Sequence, residues 1–103
     1  MFDVKQLQKM QKELQDRMGQ IQEELKTKTV DASSGGGMVT ATANGNQELV
    51  GVKIKKEAVD EDDLEMLEDL VVAAVNLALE KSKELNQSEF SKLTGGLKIP
   101  GLF

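Results

Sequence analysis

The chain has no histidine, cysteine, tryptophan or tyrosine, and one proline in 103 residues. Without histidine it lacks the usual near-neutral general base and the commonest metal ligand. Without cysteine it has no thiolate nucleophile, no cysteine-based zinc site and no disulfide. Aromatics are limited to Phe2, Phe90 and Phe103, all near the ends, so base stacking on aromatic platforms is not expected. No apolar run approaches the roughly 20 residues of a membrane span. The opening residues, with Asp3, Lys5, Gln6 and Gln8, do not read as a signal peptide. Catalysis has little to work with here. Ser and Lys are present, but nothing sets such a pair in a strained nucleophile elbow. The expectation is therefore a non-enzymatic binding protein with no cofactor, no metal and no small-molecule substrate.

What is present is helical and strand-like patterning in an order that suggests one domain over 1–103. Residues 3–27 predict an amphipathic helix. Leu7, Leu14 and Ile21 recur every seven residues, Val4, Met18 and Leu25 hold the second heptad position, Met10 widens the stripe, and Gln11 breaks it. Asp3 suits the N-cap. Gly19, inside the helix, is either a cost of about 1 kcal/mol or a point of close approach.

The period then changes to two. Strands are expected at about 29–32, 38–43 and 47–56. Gly35-Gly36-Gly37 and Asn44-Gly45-Asn46 supply the turns. The apolar residues Val39, Ala41 and Ala43 are odd-numbered, whereas Val50, Val52 and Ile54 are even-numbered. Both sets share a face only if paired residues sum to an odd number, which favours a two- or four-residue loop, most simply Asn44-Gly45 or Gly45-Asn46.

A second helix is expected at about 61–86, with Asp60 as N-cap and Asp63 at N3. Leu64, Leu67, Leu70, Val71, Ala74, Leu77, Ala78 and Leu85 form a broad stripe, and Val72, Ala73, Val75 and Leu79 make its middle apolar nearly all round. A helix buried on several sides needs more cover than one small sheet supplies. A second copy of the chain is the natural cover. Leu7, Leu14, Ile21, Val50, Val52, Ile54, Leu70, Ala74 and Leu77 are the expected core and dimer residues. Residues 87–103 read as a flexible C-terminal arm. The fold class is thus α+β: a long helix, a three-stranded antiparallel meander, a second long helix and the arm.

The net charge of −5 is unevenly spread. Residues 1–56 carry nine bases and seven acids, residues 57–80 nine acids and no base, and residues 81–103 four bases and two acids. The acidic run Asp60 to Glu65 lacks the glycine and terminal glutamate of an EF-hand and suits the first turn of a helix. The glycine triplet lacks the Gly-Lys-Ser/Thr of a phosphate loop. Lys5, Lys9 and Lys12 fall on one helix face, away from the Leu7/Leu14/Ile21 seam, with Arg17 beyond them; at this spacing they suit a phosphate backbone. Lys53, Lys55 and Lys56 form a second cationic group, and Lys81 and Lys83 a third.

Several stretches carry a resemblance. They are Met10-Gln11-Lys12, Gly36-Gly37-Met38-Val39, Asn44-Gly45, the run Leu67-Glu68-Asp69-Leu70-Val71-Val72-Ala73-Ala74-Val75-Asn76-Leu77-Ala78, and Leu93-Thr94-Gly95-Gly96-Leu97-Lys98-Ile99-Pro100-Gly101. In this order they resemble the YbaB/EbfC family of small bacterial nucleoid-associated proteins. The resemblance implies a tweezer-like homodimer, binding to double-stranded DNA with bending or compaction, and a cytoplasmic, nucleoid-associated location. It supplies no contact motif, so Lys5, Lys9, Lys12, Arg17, Lys53, Lys55 and Lys56 are candidates on electrostatic grounds. The alternative is a small acidic dimeric chaperone or adaptor that takes a partner helix on the Leu7/Leu14/Ile21 seam. A membrane-surface role for Leu97–Phe103 is disfavoured, because that segment holds one base.

Overall fold

The computed structural model describes residues 3–93. Helix α1 (Val4–Thr27) leads into strands β1 (Thr29–Ser34), β2 (Val39–Asn44) and β3 (Leu49–Ile54), a short 3₁₀ turn (Lys56–Ala58) and helix α2 (Leu64–Leu93). The three strands form one antiparallel sheet in the order β1-β2-β3. This is the expected helix–meander–helix order in an α+β chain.

The core is built from small side chains. Ala32, Val39, Ala41 and Ala43 face Ala74 and Ala78, with Leu67, Leu70, Val71, Val75 and Leu79 packed around them. Alanine on both sides lets the helix axis lie close to the sheet, at the cost of little apolar area per residue. α2 packs over β1 and β2 and scarcely reaches β3. On β3, Val52 and Ile54 pair with Ala41 and Val39, so they share the helix-facing side of the sheet. They nevertheless stay 37% and 44% exposed, because no element covers them. Leu49 and Val50 are exposed as well.

The hairpin parity is kept by an unexpected route. Val39–Thr42 pair with Ile54–Gly51 in the odd-sum register, but Ala43 pairs with Leu49 across a register shift. The Asn44 amide donates to the Glu48 carbonyl at 2.9 Å, leaving Gly45, Asn46 and Gln47 as the loop. A three-residue loop alone would set the apolar faces apart. Val50, the extra residue at the bulge, restores them. Gln47 takes the left-handed conformation, φ 62°, that such a loop requires. The expected two- or four-residue loop is corrected accordingly.

Helix α2 also differs from expectation. Its N-cap is Asp63, whose Oδ1 accepts the Met66 amide at 3.2 Å; Asp60 instead caps the preceding turn through the Asp62 amide at 3.0 Å. The helix continues to Leu93, so residues 87–93 are helical rather than the start of an arm. β1 extends to Ser34, and β3 is shorter at both ends than the expected 47–56. The rest of the expected arm, 94–103, lies outside the described residues.

α1 is fastened to the body at its C-terminal end, and the end of α2 runs beside its middle. Leu25 is fully buried against Gly45, whose amide donates to the carbonyls of Leu25 and Lys28, both at 2.9 Å. A Cβ on Gly45 would run into the Leu25 side chain, so only glycine fits there. The remainder of α1 projects. A radius of gyration of 19.3 Å and extents of 71 × 22 × 16 Å reflect it, against about 13 Å for a compact domain of this length.

Candidate nucleic-acid interface

The helical period decides which cations on α1 act together. Lys5, Lys9 and Lys12 lie on the face opposite the apolar stripe, all exposed, over about 10 Å of helix axis. From Val4 to Lys12 there are three lysines and no acid. Asp3 caps this end, its Oδ1 accepting the Lys5 amide at 3.5 Å. Arg17 stands apart from the three, beside the apolar stripe, where it lines a shallow groove with Met10, Glu13, Leu14 and Leu93.

The second cationic group is far from the first. α1 joins the sheet at the Asn44–Gln47 turn, where the Asn46 Nδ2 donates to the Gln22 carbonyl at 3.0 Å. Lys53 and Lys55 follow β3 to the opposite end of the sheet, where the Lys55 amide donates to the Met38 carbonyl at 2.9 Å. Lys56 opens the 3₁₀ turn. One subunit therefore does not bring the two groups together. The chain then runs directly into Glu57 and Asp60–Asp63, which lowers the positive potential around Lys55 and Lys56. Among the groups singled out, only the α1 lysines sit in a stretch, Val4–Lys12, that holds no acid.

In the third group Lys81 is tied into the fold, and two cations outside the three groups are tied as well. Lys81 Nζ donates to the Asp31 carbonyl at 2.9 Å. Lys28 and Lys92, at 3.1 and 3.3 Å, both donate to Glu89 Oε1. The Lys28 bond, then the Lys92 bond, holds the Glu89 carboxyl below its ordinary value of 4.5. This clip fastens the last residue of the α1 turn to the end of α2, and sequence spacing alone gave no sign of it.

The stability residues separate into two sets. Ala74 is buried, Leu70 and Ile21 are half-buried, whereas Leu7, Leu14, Val50, Val52, Ile54 and Leu77 are exposed in the single chain. Sequence reasoning missed Ser82 and Asn86, which bind the turn at Asn44 and Gly45. The Ser82 hydroxyl donates to the Asn44 carbonyl and accepts the Gln47 amide at 2.9 Å. Asn86 Nδ2 donates to the Gly45 carbonyl at 2.9 Å. Asn44 Oδ1 accepts the amides of Asn46 and Glu48 at 2.9 and 3.1 Å. Their signal was faint: polar residues at i, i+4 on a helix face otherwise apolar. Among the described residues no cluster of three or more acidic, histidine or cysteine side chains is arranged to hold a metal, and no helix is long and apolar enough to cross a membrane.

The sequence profile of the YbaB/EbfC DNA-binding family matches residues 1–97. The chain belongs to the YbaB/EbfC DNA-binding family. It is 52% identical over 102 residues to a nucleoid-associated protein of Thermoanaerobacter pseudethanolicus, covering 99% of this chain and 92% of that one. It is 56% identical over 91 residues to a nucleoid-associated protein of Syntrophobacter fumaroxidans, covering 88% and 83% of the two chains. Its fold is similar to the crystal structure of an uncharacterized Helicobacter pylori protein, HP0035. That match has a TM-score of 0.82 at 25% identity and covers 92% of this chain and all of the other. Within the YbaB/EbfC framework, the α1 lysines are the group whose surroundings best suit a polyanion.

Proposed function

We propose that this protein is a non-enzymatic, nucleoid-associated component of the bacterial cytoplasm that grips double-stranded DNA by its phosphate backbone, as a homodimer, and changes its path. The observation that carries the reading is the exposed lysine face of α1, free of acids from Val4 to Lys12, standing on a helix that projects from the body of the molecule. Membership of a DNA-binding family and the names of its relatives point the same way.

The dimer has its own physical support. Leu49, Val50, Val52 and Ile54 leave one side of β3 apolar and uncovered, beside a core made largely of alanine. A second copy laid there removes that surface from water. It also doubles the lysine faces and fixes the distance between two projecting helices. Two arms that straddle a duplex favour a bent path when added phosphate contacts offset a bending cost of about 1–6 kcal/mol. The main contacts are to phosphate, so sequence preference is weak. Lys53, Lys55 and Lys56, beside the acidic run, contribute less than α1.

A gel-shift titration on unrelated duplexes at two salt concentrations tests this, alongside mass by light scattering. The expected result is a dimer that shifts every duplex and weakens steeply with salt. Lys5→Glu/Lys9→Glu/Lys12→Glu is expected to lose at least about tenfold in affinity with helix content and mass unchanged. A flat salt response defeats the phosphate reading, and unaltered affinity of the triple variant removes α1 from the surface. Capture of a partner helix draws on a different observation, the exposure of Leu7, Met10 and Leu14.

A further inference from the structure

The sheet has two edges, β1 and β3, and they are finished differently. In an antiparallel pair, facing residues either exchange both backbone bonds or turn those groups away, in alternation. The Asp31 carbonyl points away from β2, where it accepts Lys81 Nζ at 2.9 Å. Asp31 faces Thr42, and Thr42 faces Gly51. Thr42 therefore bonds toward β3 and Gly51 back toward β2, which leaves the backbone groups of Val52 and Ile54 pointing outward. The Lys55 amide, bonded to the Met38 carbonyl, fits the same alternation.

The outward groups of β1 belong to Thr29, Asp31 and Ser33, and a lysine from α2 occupies the middle carbonyl. A strand arriving there has to displace that ammonium or bury it. Among the described residues, no side chain caps β3 in this way. Its outward residues, Val52 and Ile54, are also good strand formers, unlike Asp31 and Ser33.

We infer that β3 of a second copy adds to the outer edge of β3, antiparallel, with the two Val52 residues opposite each other, and that Lys81 keeps the joined sheet from growing at β1. The inference rests on the homodimer reading and gives that dimer its contact and its limit. Groups pointing outward must meet, so even-numbered residues pair with even-numbered ones. Centred on Val52, Val50 meets Ile54 on the apolar side of the sheet, and Lys53 meets Gly51 on the other. Centring on Lys53 sets like charges opposite each other. Centring on Gly51 leaves the exposed Ile54 without a partner. A contact that uses the same strand in both copies closes at two. Only β1 is then left to extend the sheet, and Lys81 sits on it.

Sedimentation velocity and single-cysteine cross-linking on the full chain test this. The chain has no cysteine, so one introduced thiol per copy gives one product. Facing Val52 Cα atoms lie about 5.5 Å apart, within reach of a disulfide, whereas the two Ile54 lie about 14 Å apart along the strands. Val52→Cys is expected to form a two-chain disulfide on oxidation, and Ile54→Cys is not. Lys81→Ala, with the helix content of the parent, is expected to sediment as at least four chains where the parent runs as two. Lys81→Arg keeps a donor and is expected to stay at two. A parent that runs as a single copy defeats the homodimer reading and this inference together. With a dimeric parent, Lys81→Ala that stays at two chains, or Val52→Cys that cross-links no better than Ile54→Cys, overturns the inference alone.

Discussion

The two ends of α1 carry apolar side chains of the same kind, at helical spacing, in opposite surroundings. At the base, Leu25 is sealed between the Gly45 turn and the end of the sheet. Near the tip, Leu7 is 47% exposed. A heptad stripe therefore marks what a helix is able to bury, and the length of its neighbour decides how much of it is buried. The lysine face opposite keeps its exposure along the tip, where no part of the sheet approaches.

The contrast is sharpest in stability. Leu25→Ala is expected to cost about 2–5 kcal/mol, since the packed site cannot collapse around the loss. Leu7→Ala is expected to cost less than about 1 kcal/mol. Urea unfolding of the two variants measures the difference, and equal costs break the comparison. Gly19 tests the middle of the helix. Nothing lies within 4 Å of a Cβ built there, so the residue is a cost and not a point of close approach within the subunit. Gly19→Ala is expected to stabilise the chain by up to about 1 kcal/mol in the same assay. The smallest effect concerns the clip at the base. Glu89 is held below its ordinary value, so its contribution is fully present above pH 4.5 and is lost as the pH falls through the lowered value. Glu89→Gln is expected to lower Tm slightly at pH 7. The gap to the parent narrows below pH 4.5, and added salt shrinks it at neutral pH. A gap that widens in acid contradicts the assignment.

Much of the fold was readable because periodicity reports exposure directly. The change from a helical to a two-residue period placed the meander, and parity put Val39, Ala41, Val52 and Ile54 on one face, as observed. The loop itself was misread, since a bulge at Val50 supplies the same parity as an even-numbered loop. The end of α2 was misread for another reason. Ser82, Asn86 and Glu89 stand on its packed face and serve the turn and Lys28, so the apolar pattern stops while the helix goes on. For the proposed DNA surface, spacing identified Lys5, Lys9 and Lys12 as one group. It could not show that Lys53, Lys55 and Lys56 lie at the other end of the sheet, because that separation depends on which strand end α1 joins.

The hairpin turn at Asn44–Gln47 donates to the carbonyls of Gln22, Leu25 and Lys28 at the root of α1 and to the Ser82 hydroxyl on α2, and accepts from Asn86. Hairpin tips are ordinarily the most forgiving place to lengthen a small protein. Here the rule is inverted. An epitope or fluorophore spliced at this turn disconnects helix, sheet and helix at once, whereas the opposite tip at Gly36, where a built Cβ meets nothing within 4 Å, is the place to graft one.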